Sequence, residues 1–362
     1  MHARSTINSV AQTLCIGMVA MTCSAAQTSS NSATPIQTSH SSRPTMQFAD
    51  NAHVAPDTRI ADLLRRPAFA GFGRLLLPWD DRPIDKNLRL QDVDALLPYH
   101  SHVDPDTVVS ALNRMIDDVN AGHTVFYDIY AKAQLGANPE LAQTGVFFFR
   151  GKPGAPFAII SPGGGFQYVG SLHEGFPYAA EIARSGYNAF VLKYRVGSGG
   201  SKANADLAAA LTYIVEHADA LGVDRHGYSL WGSSAGARMA AAIGSHGAAR
   251  FGGGVLPRPA AVVMAYTGHS DVGTSEPPTF VIAGEHDRIA PPSVMRRRLD
   301  ALRQAGTKVD FHVYPGVGHG FGLGVGTSAE GWVSQAIRFW SQSLGCRKVP
   351  NDSAAGVCGD GK

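Results

Sequence analysis

Residues 226–242 read HGYSLWGSSAGARMAAA. The apolar run at residues 228–231 predicts a short buried strand, and the small residues that follow Gly236 predict a helix. Ser234 lies in the turn GSSAG, where the strand becomes the helix. In a G-x-S-x-G turn the backbone bends so sharply that the serine is strained and exposed above the edge of the sheet. Ser234 is therefore a candidate nucleophile, and the alternative is a packing serine in a tight turn.

Around this turn the chain alternates between strand and helix patterns, starting at about residue 144. Helical segments separate strands that are apolar throughout: GVFFFRG, APFAIISP, YNAFVLKYR, YSLW, AAVVMAYTG, PPTFVIAGE and VDFHVYPG. Such strands are typical of a mostly parallel sheet with helices on both faces. We therefore predict an α/β fold whose functional side chains lie at the carboxyl ends of the strands.

Two further polar residues follow strands of this predicted sheet. Asp287 comes after PTFVIAGEH and His319 comes after VDFHVYPGVG, so the chain order is Ser, Asp, His. A serine hydroxyl is a weak nucleophile unless a histidine accepts its proton, and a carboxylate must hold that histidine in the right tautomer. Ser234, Asp287 and His319 are the predicted catalytic triad. Glu285 is a rival acid, but it lies closer to the strand, where we expect its side chain to point elsewhere.

A glycine-rich stretch, SPGGGFQYVG at residues 161–170, follows another predicted strand. Glycines allow backbone N–H groups to converge on one cavity without a side chain in the way. The tetrahedral intermediate of acyl transfer carries an oxyanion that needs such donors. We therefore predict an oxyanion hole made by Gly164, Gly165 and the N–H of Ala235, at the start of the helix after the nucleophile. A plain loop is the alternative.

The same stretch carries two bulky rings, Phe166 and Tyr168, which we expect to bind substrate by walling the acyl side of the site. Glu174, in LHEGFP, lies just beyond. It either braces the glycine-rich stretch by accepting a hydrogen bond from its backbone or caps the helix that starts near Pro177. Both roles are structural, and we expect Glu174 to have a structural role of this kind.

The run from GVFFFRG to the last helix resembles the α/β-hydrolase esterases related to hormone-sensitive lipase and to bacterial acetyl-xylan and feruloyl esterases. The matching segments are PGGGF, HEGFPYAAEIARSGYNAFVLKYR, GSSAG, GEHDRIAPP and GHGFG. The resemblance implies an α/β-hydrolase fold, and its triad carries over to Ser234, Asp287 and His319. Lipase-like relatives usually have His-Gly-Gly-Gly, whereas Pro162 precedes the glycines here, as in the acetyl-xylan-esterase-like relatives.

Composition supports a folded enzyme rather than a nucleic-acid-binding protein. Of the 362 residues 44% are hydrophobic, and the net charge of +2 provides no strong field for nucleic acid or an anionic membrane. No pattern predicts a metal site or a cofactor. The predicted organisation is a signal peptide at 1–26, a flexible leader at 27–46, a mainly helical N-terminal extension at 47–140 that is a possible cap, a catalytic domain at 141–345 and a C-terminal tail at 346–362.

The N-terminus indicates export. An apolar segment at about residues 14–21 is too short to span a bilayer, and the small residues Ser24, Ala25 and Ala26 suit cleavage by a signal peptidase. A lipidated Cys23 and a disordered cytosolic tail are the alternatives. We expect a secreted or periplasmic protein in which Cys346 and Cys358 form a disulfide, with two free thiols on a loose tail as the alternative.

The function predicted from these features is that of a secreted serine carboxylesterase. It would hydrolyse short-chain acyl esters, acetyl esters in particular, on a small-molecule or polysaccharide-linked substrate. The connection HSDVGTSE, between two predicted strands, leaves no room for a helical lid. The alternatives are a peptidase of the prolyl-oligopeptidase type, a feruloyl esterase or lipase with a larger acyl pocket, and a binding module that kept the fold.

Overall fold

The computed structural model describes residues 52–345. The predicted signal peptide, the leader and the Cys346–Cys358 pair lie outside the described residues. At the centre is an eight-stranded sheet in the order β1-β2-β4-β3-β5-β6-β7-β8. Its strands are β1 Phe126–Tyr127, β2 Gly145–Phe149, β3 Pro156–Ser161, β4 Asn188–Lys193, β5 Asp224–Ser233, β6 Ala261–Ala265, β7 Thr279–Gly284 and β8 Val309–Tyr314.

The sheet is mostly parallel, as predicted. Every pairing from β4 through β8 is parallel, whereas β2 runs antiparallel to both β1 and β4. Strand β5 lies between β3 and β6, with Ser161 opposite Gly232 and Ser233 opposite Ala265. The carboxyl ends of three neighbouring strands therefore meet at the turn that carries Ser234.

Helices cover both faces of the sheet. The helices are α1 Ile60–Leu63, α2 Pro105–Asn120, α3 Lys132–Ala137, α4 Phe176–Arg184, α5 Ser201–Glu216, α6 Ala218–Leu221, α7 Ala235–His246, α8 Pro292–Gln304 and α9 Trp332–Gly345. Alternate residues of β2 belong to opposite cores: Phe147 and Phe149 lie in the buried cluster that includes residues of α2, α4 and α9, while Val146 and Phe148 lie in the cluster that includes residues of α5, α7 and α8. This alternation explains why the strands are apolar throughout.

The described part of the N-terminal extension consists mainly of short helical turns and loops. Its one long helix is α2, where the Asp104 side chain accepts hydrogen bonds from two backbone N–H groups of the first turn. The segment that follows Asp57 forms only the single turn of α1, and no side chain caps it. Thr58 instead accepts a hydrogen bond from the N–H of Ala55. The apolar stretch TVFYDIY at residues 124–130 forms only the two-residue strand β1, at the edge of the sheet.

The extension shares the hydrophobic core of the sheet. Helix α2 packs against α4, and residues from Val54 onward belong to the same buried cluster as Phe147 and Trp332. A buried cation adds a polar anchor: Lys193 Nζ, on β4, lies 2.9 Å from an Asp80 carboxylate oxygen and donates to the carbonyl of Leu77 at 2.9 Å. Among residues 52–345, no helix is long and apolar enough to cross a membrane.

Candidate active site

The turn after β5 is strained at the residue that the sequence singled out. Ser234 has φ 49° and ψ −114°, a conformation that L-residues other than glycine rarely adopt. The two glycines of the motif allow this turn because the backbones approach closely. A Cβ on Gly232 would lie 2.3 Å from the carbonyl oxygen of Gly236, and one on Gly236 would lie 1.8 Å from the carbonyl oxygen of Ser161.

The structure brings the three predicted triad residues together. Nε2 of His319 lies 2.9 Å from Ser234 Oγ, and its Nδ1 lies 2.8 Å from Asp287 Oδ2. The Asp287 side chain has no exposed surface, and that of His319 is 7% exposed. Ser234 is only half-buried, so a substrate can reach the hydroxyl at its end of this hydrogen-bond chain. Such an arrangement can transfer a proton from the serine to the histidine.

The Asp287 carboxylate is fully engaged. Its Oδ1 accepts hydrogen bonds from the N–H groups of Ile289 and Ala290, which leaves Oδ2 for His319. The rival acid Glu285 is exposed and accepts a hydrogen bond from the N–H of Gly316 instead. The carboxylate beside the imidazole is therefore that of Asp287.

The glycine loop, which we define as residues 162–165, borders Ser234. A Cβ on Gly163 would lie 3.1 Å from the Cβ of Ser234, and Gly164 has φ 132° with its α-carbon so close to the Tyr168 carbonyl that a Cβ would lie 2.1 Å away. Within residues 52–345, the N–H groups of Gly164, Gly165 and Ala235 have no protein acceptor. They are the donors predicted for an oxyanion, and they remain available to a ligand.

Phe166 and Tyr168, the two rings predicted to line the acyl side of the site, differ in burial and in the residues that they contact. Phe166 is half-buried, has φ 58°, and its ring packs over Gly200. Tyr168 does not line the site, contrary to expectation, because its side chain has no exposed surface. Its ring lies between Trp79 and Tyr99 of the N-terminal extension, with centroids 4.6 and 5.6 Å away.

Glu174 braces the glycine loop, the first of the two roles considered for it. Its Oε2 accepts a hydrogen bond of 2.6 Å from the Gly163 N–H, and its Oε1 accepts one of 2.8 Å from the Tyr266 hydroxyl. No part of its side chain is exposed. Burial alone would raise the pKa of Glu174, but His100 and then His173 and Tyr266 lower it to about 2, so the carboxylate is charged.

A short segment of the extension reaches the same place, and the sequence did not reveal it. Nε2 of His100 lies 3.1 Å from Glu174 Oε1. The neighbouring Ser101 donates from its hydroxyl to the carbonyl of His319 and from its N–H to the carbonyl of Gly320, at 2.8 and 2.9 Å. These residues show no periodicity or motif, so no local signal could have identified them.

Two family models match successive parts of the chain. The BD-FAE model matches residues 150–257, which include the glycine loop and Ser234. The model of the prolyl oligopeptidase family matches residues 264–347, which include Asp287 and His319. Neither model covers half of the chain. No match is found among curated proteins.

Solved structures resemble more than half of the chain. An acetyl ester-xyloside bifunctional hydrolase from Caldicellulosiruptor lactoaceticus is 21% identical with a TM-score of 0.53, over 61% of this chain and 96% of its own. An α/β-hydrolase enzyme from a Medee basin deep-sea metagenome library is 25% identical with a TM-score of 0.48, over 56% and 93%. A thermophilic esterase from Thermogutta terrifontis with bound propionate is 20% identical with a TM-score of 0.48, over 55% and 89%.

The strand order and the sharp turn at Ser234 are those of an α/β-hydrolase, so the chain has the α/β-hydrolase fold. The family models agree with this fold on both sides of residue 260. Together these findings support the α/β-hydrolase superfamily for this chain and point to a hydrolase of that type.

Proposed function

We propose that this protein is a serine carboxylesterase that acts on short-chain acyl esters, acetyl esters above all. The observation that carries the proposal is the hydrogen-bond chain from Asp287 through His319 to the strained Ser234. Each member follows a different parallel strand, which is where α/β-hydrolases hold these three residue types.

In the proposed mechanism His319 accepts the Ser234 proton as Oγ attacks the ester carbonyl. Asp287 stabilises the imidazolium and keeps Nδ1 protonated, so that Nε2 is the base. The N–H groups of Gly164, Gly165 and Ala235 stabilise the oxyanion of the tetrahedral intermediate. His319 then protonates the leaving alcohol. In the second half-reaction it activates a water molecule that hydrolyses the acyl-enzyme and restores Ser234.

Two features support a small acyl group. The connection from residue 266 to residue 278, between β6 and β7, contains no helix and so supplies no helical lid. Phe166 directly follows the glycine loop, and its half-buried ring, which packs over Gly200, takes up space beside that loop. The hydrolase of Caldicellulosiruptor lactoaceticus, by its name, cleaves an acetyl ester, which agrees with the proposed class of substrate.

A peptidase is the second candidate, because the prolyl oligopeptidase model matches residues 264–347. Peptidases of that type usually carry a β-propeller ahead of the hydrolase domain. Within residues 52–140 the structure has a single two-residue strand and otherwise helical turns and loops. This observation favours the esterase.

Export to the periplasm or the medium is part of the proposal, together with the disulfide between Cys346 and Cys358. Both rest on the sequence alone. The mass of the mature protein, measured with and without reduction and thiol alkylation, tests them. We expect a chain that starts near residue 27 and that contains no free thiol among these two cysteines.

The function is tested with one panel of substrates: p-nitrophenyl esters from acetyl to octanoyl, acetylated xylan, a feruloyl ester and a dipeptide amide. We expect hydrolysis of the acetyl compounds and none of the amide, with Ser234→Ala as the blank. Turnover of the dipeptide amide above that of the esters would overturn the esterase in favour of the peptidase. No turnover of any compound by correctly folded protein would favour the binding module.

A further inference from the structure

We propose that His100, from the N-terminal extension, is a positioning residue that acts through Glu174 to hold the glycine loop in place for stabilising the oxyanion. This inference rests on the proposed function. It assigns a catalytic purpose to a part of the chain that neither family model covers.

The contact is direct and buried. His100 Nε2 lies 3.1 Å from Glu174 Oε1, and the exposed fractions of the two side chains are 2% and 0%. The other oxygen of the same carboxylate accepts the Gly163 N–H at 2.6 Å. A chain of two hydrogen bonds therefore runs from the extension to the first glycine of the loop.

Glu174 needs this partner because a buried carboxylate is costly unless it is paired and hydrogen-bonded. It has three: the Gly163 N–H, the Tyr266 hydroxyl and the His100 imidazole. Of these only the imidazole can carry a positive charge. Without His100, we expect the carboxylate to shift toward its remaining partners or toward water, and the Gly163 N–H to move with it.

The imidazole is itself fixed from the other side. Nδ1 of His100 lies 2.9 Å from the Tyr168 hydroxyl, which also accepts the N–H of Tyr99 at 3.0 Å. The Tyr168 hydroxyl holds Nδ1, and the opposite nitrogen, Nε2, therefore points its N–H at Glu174. The position of Nε2 is the property on which the inference depends.

The geometry at the glycine loop makes small movements important. The Gly163 N–H is committed to Glu174, and the next two N–H groups are free for the substrate. A shift of Gly163 would turn those two donors away from the oxyanion. Loss of an oxyanion donor lowers kcat by about 10²–10³, and a displaced donor should cost a part of that.

Three variants separate this role from a general structural one. His100→Gln places an amide nitrogen near the position of Nε2, so it keeps the donor to Glu174. His100→Asn is one bond shorter and reaches only the Tyr168 side. His100→Leu keeps volume and removes both contacts. We expect kcat for p-nitrophenyl acetate to fall about 10- to 100-fold in the Asn and Leu variants, with KM changed less than about threefold and near-complete rescue in the Gln variant.

A boronic acid inhibitor provides the second readout, since its tetrahedral adduct with serine mimics the intermediate that carries the oxyanion. Its affinity should fall by the same factor as kcat in the Asn variant and recover in the Gln variant. Asn113→Ala is the matched control, because Asn113 joins two parts of the same extension through two hydrogen bonds with the backbone of Val54, away from the site. It should lower stability and leave kcat and inhibitor affinity unchanged.

The outcomes are distinguishable from a failure of the proposed function. If a fluorophosphonate does not label Ser234 in the wild-type protein, the esterase and the positioning role both fail. If Ser234 is labelled and the Gln and Asn variants share one kcat, the positioning role alone is overturned. If the Leu variant does not fold, the Gln and Asn pair still decides.

Discussion

Oδ2 of Asp287 lies 2.8 Å from Nδ1 of His319, while Oδ1 of the same carboxylate is occupied by two backbone N–H groups. In Asp287→Asn the amide oxygen would retain those two N–H groups, which turns the amide NH₂ toward Nδ1. Nδ1 must then accept, so Nε2 carries the proton and cannot take one from Ser234. We expect kcat to fall by about 10⁴ in steady-state assays with p-nitrophenyl acetate.

Glu285→Gln is the control for this change. Glu285 is exposed and accepts a hydrogen bond from the Gly316 N–H, which a glutamine oxygen can also accept. Its activity should stay close to that of the wild type. A large loss in Glu285→Gln beside an active Asp287→Asn would move the triad acid to Glu285.

Ser234→Ala should lower kcat by about 10⁶, the loss seen when a triad serine is removed. The measurement is a long endpoint assay with purified protein, supported by the absence of fluorophosphonate labelling. A variant that kept a tenth of the activity would exclude Ser234 as the nucleophile.

Ser233→Ala supplies the neighbouring comparison. Ser233 is fully buried, and its hydroxyl lies 3.2 Å from that of Tyr178. Its loss removes one buried hydrogen bond, which is worth about 1 kcal/mol of unfolding free energy. Activity should persist.

Gly236→Ala should destabilise the protein by roughly 3 kcal/mol or more, at the upper end for an overpacked core. The added Cβ would lie 1.8 Å from the Ser161 carbonyl and 2.6 Å from that of Pro162, and both are backbone atoms. Urea unfolding measures the change. Gly136→Ala is the control: a Cβ there meets nothing within 4 Å in helix α3, so stability should rise by about 0.5–1 kcal/mol. Equal effects would contradict the close approach of α7 and β3.

The protein should lose stability as the pH falls from 6.5 to 4. Burial first, and then the charge of His100, lower the pKa of His173 from 6.5 to about 4. Between these values the unfolded chain binds a proton that the folded protein does not, so acid favours unfolding by up to about 1.4 kcal/mol per pH unit. Urea midpoints at pH 7 and pH 5 measure this loss.

His173→Gln should make that pH dependence shallower, because a glutamine does not titrate and can still donate to the Gly320 carbonyl that His173 contacts at 3.1 Å. A remaining slope is expected from His269, whose pKa burial and then Arg298 also lower to about 4. An unchanged slope in His173→Gln would show that His173 is protonated in the folded protein.

Specificity should favour acetyl esters, with kcat/KM falling from C2 to C8. An open apolar groove would instead add about 0.8 kcal/mol per methylene and raise kcat/KM with chain length. Phe166→Ala should shift the preference toward longer chains, because its half-buried ring directly follows the glycine loop in the chain. An optimum at C8 in the wild type would overturn the small acyl pocket.

The proximity of Ser234, Asp287 and His319 could be predicted because each residue follows a strand that is apolar enough to recognise locally. The close approach of Gly232 and Gly236 also follows from the motif, since the glycines are needed by the turn itself. The bracing role of Glu174 was predictable for the same reason, as it lies 11 residues from Gly163. Short-range geometry is what a sequence pattern encodes.

The remainder of the site depends on contacts between distant parts of the chain. Ser101 and His319 are 218 residues apart, and no pattern within either segment predicts that they meet. Tyr168 was placed in the substrate pocket because of its position in the loop. Its direction is decided instead by Trp79 and Tyr99, which cover it from the extension. Packing partners of this kind cannot be identified from one segment alone.

The hydrophobic core that the N-terminal extension shares with the sheet limits how far the chain can be truncated. Family similarity begins at residue 150, but Val54 is already buried and bonded to Asn113 in α2, and α2 packs on α4. The segment that the family models match is therefore shorter than the segment that shares this hydrophobic core. A fragment starting at residue 141 would present the apolar face of Phe147 and Phe149 to water. Fusion proteins and domain transplants should keep everything from upstream of Val54 onward.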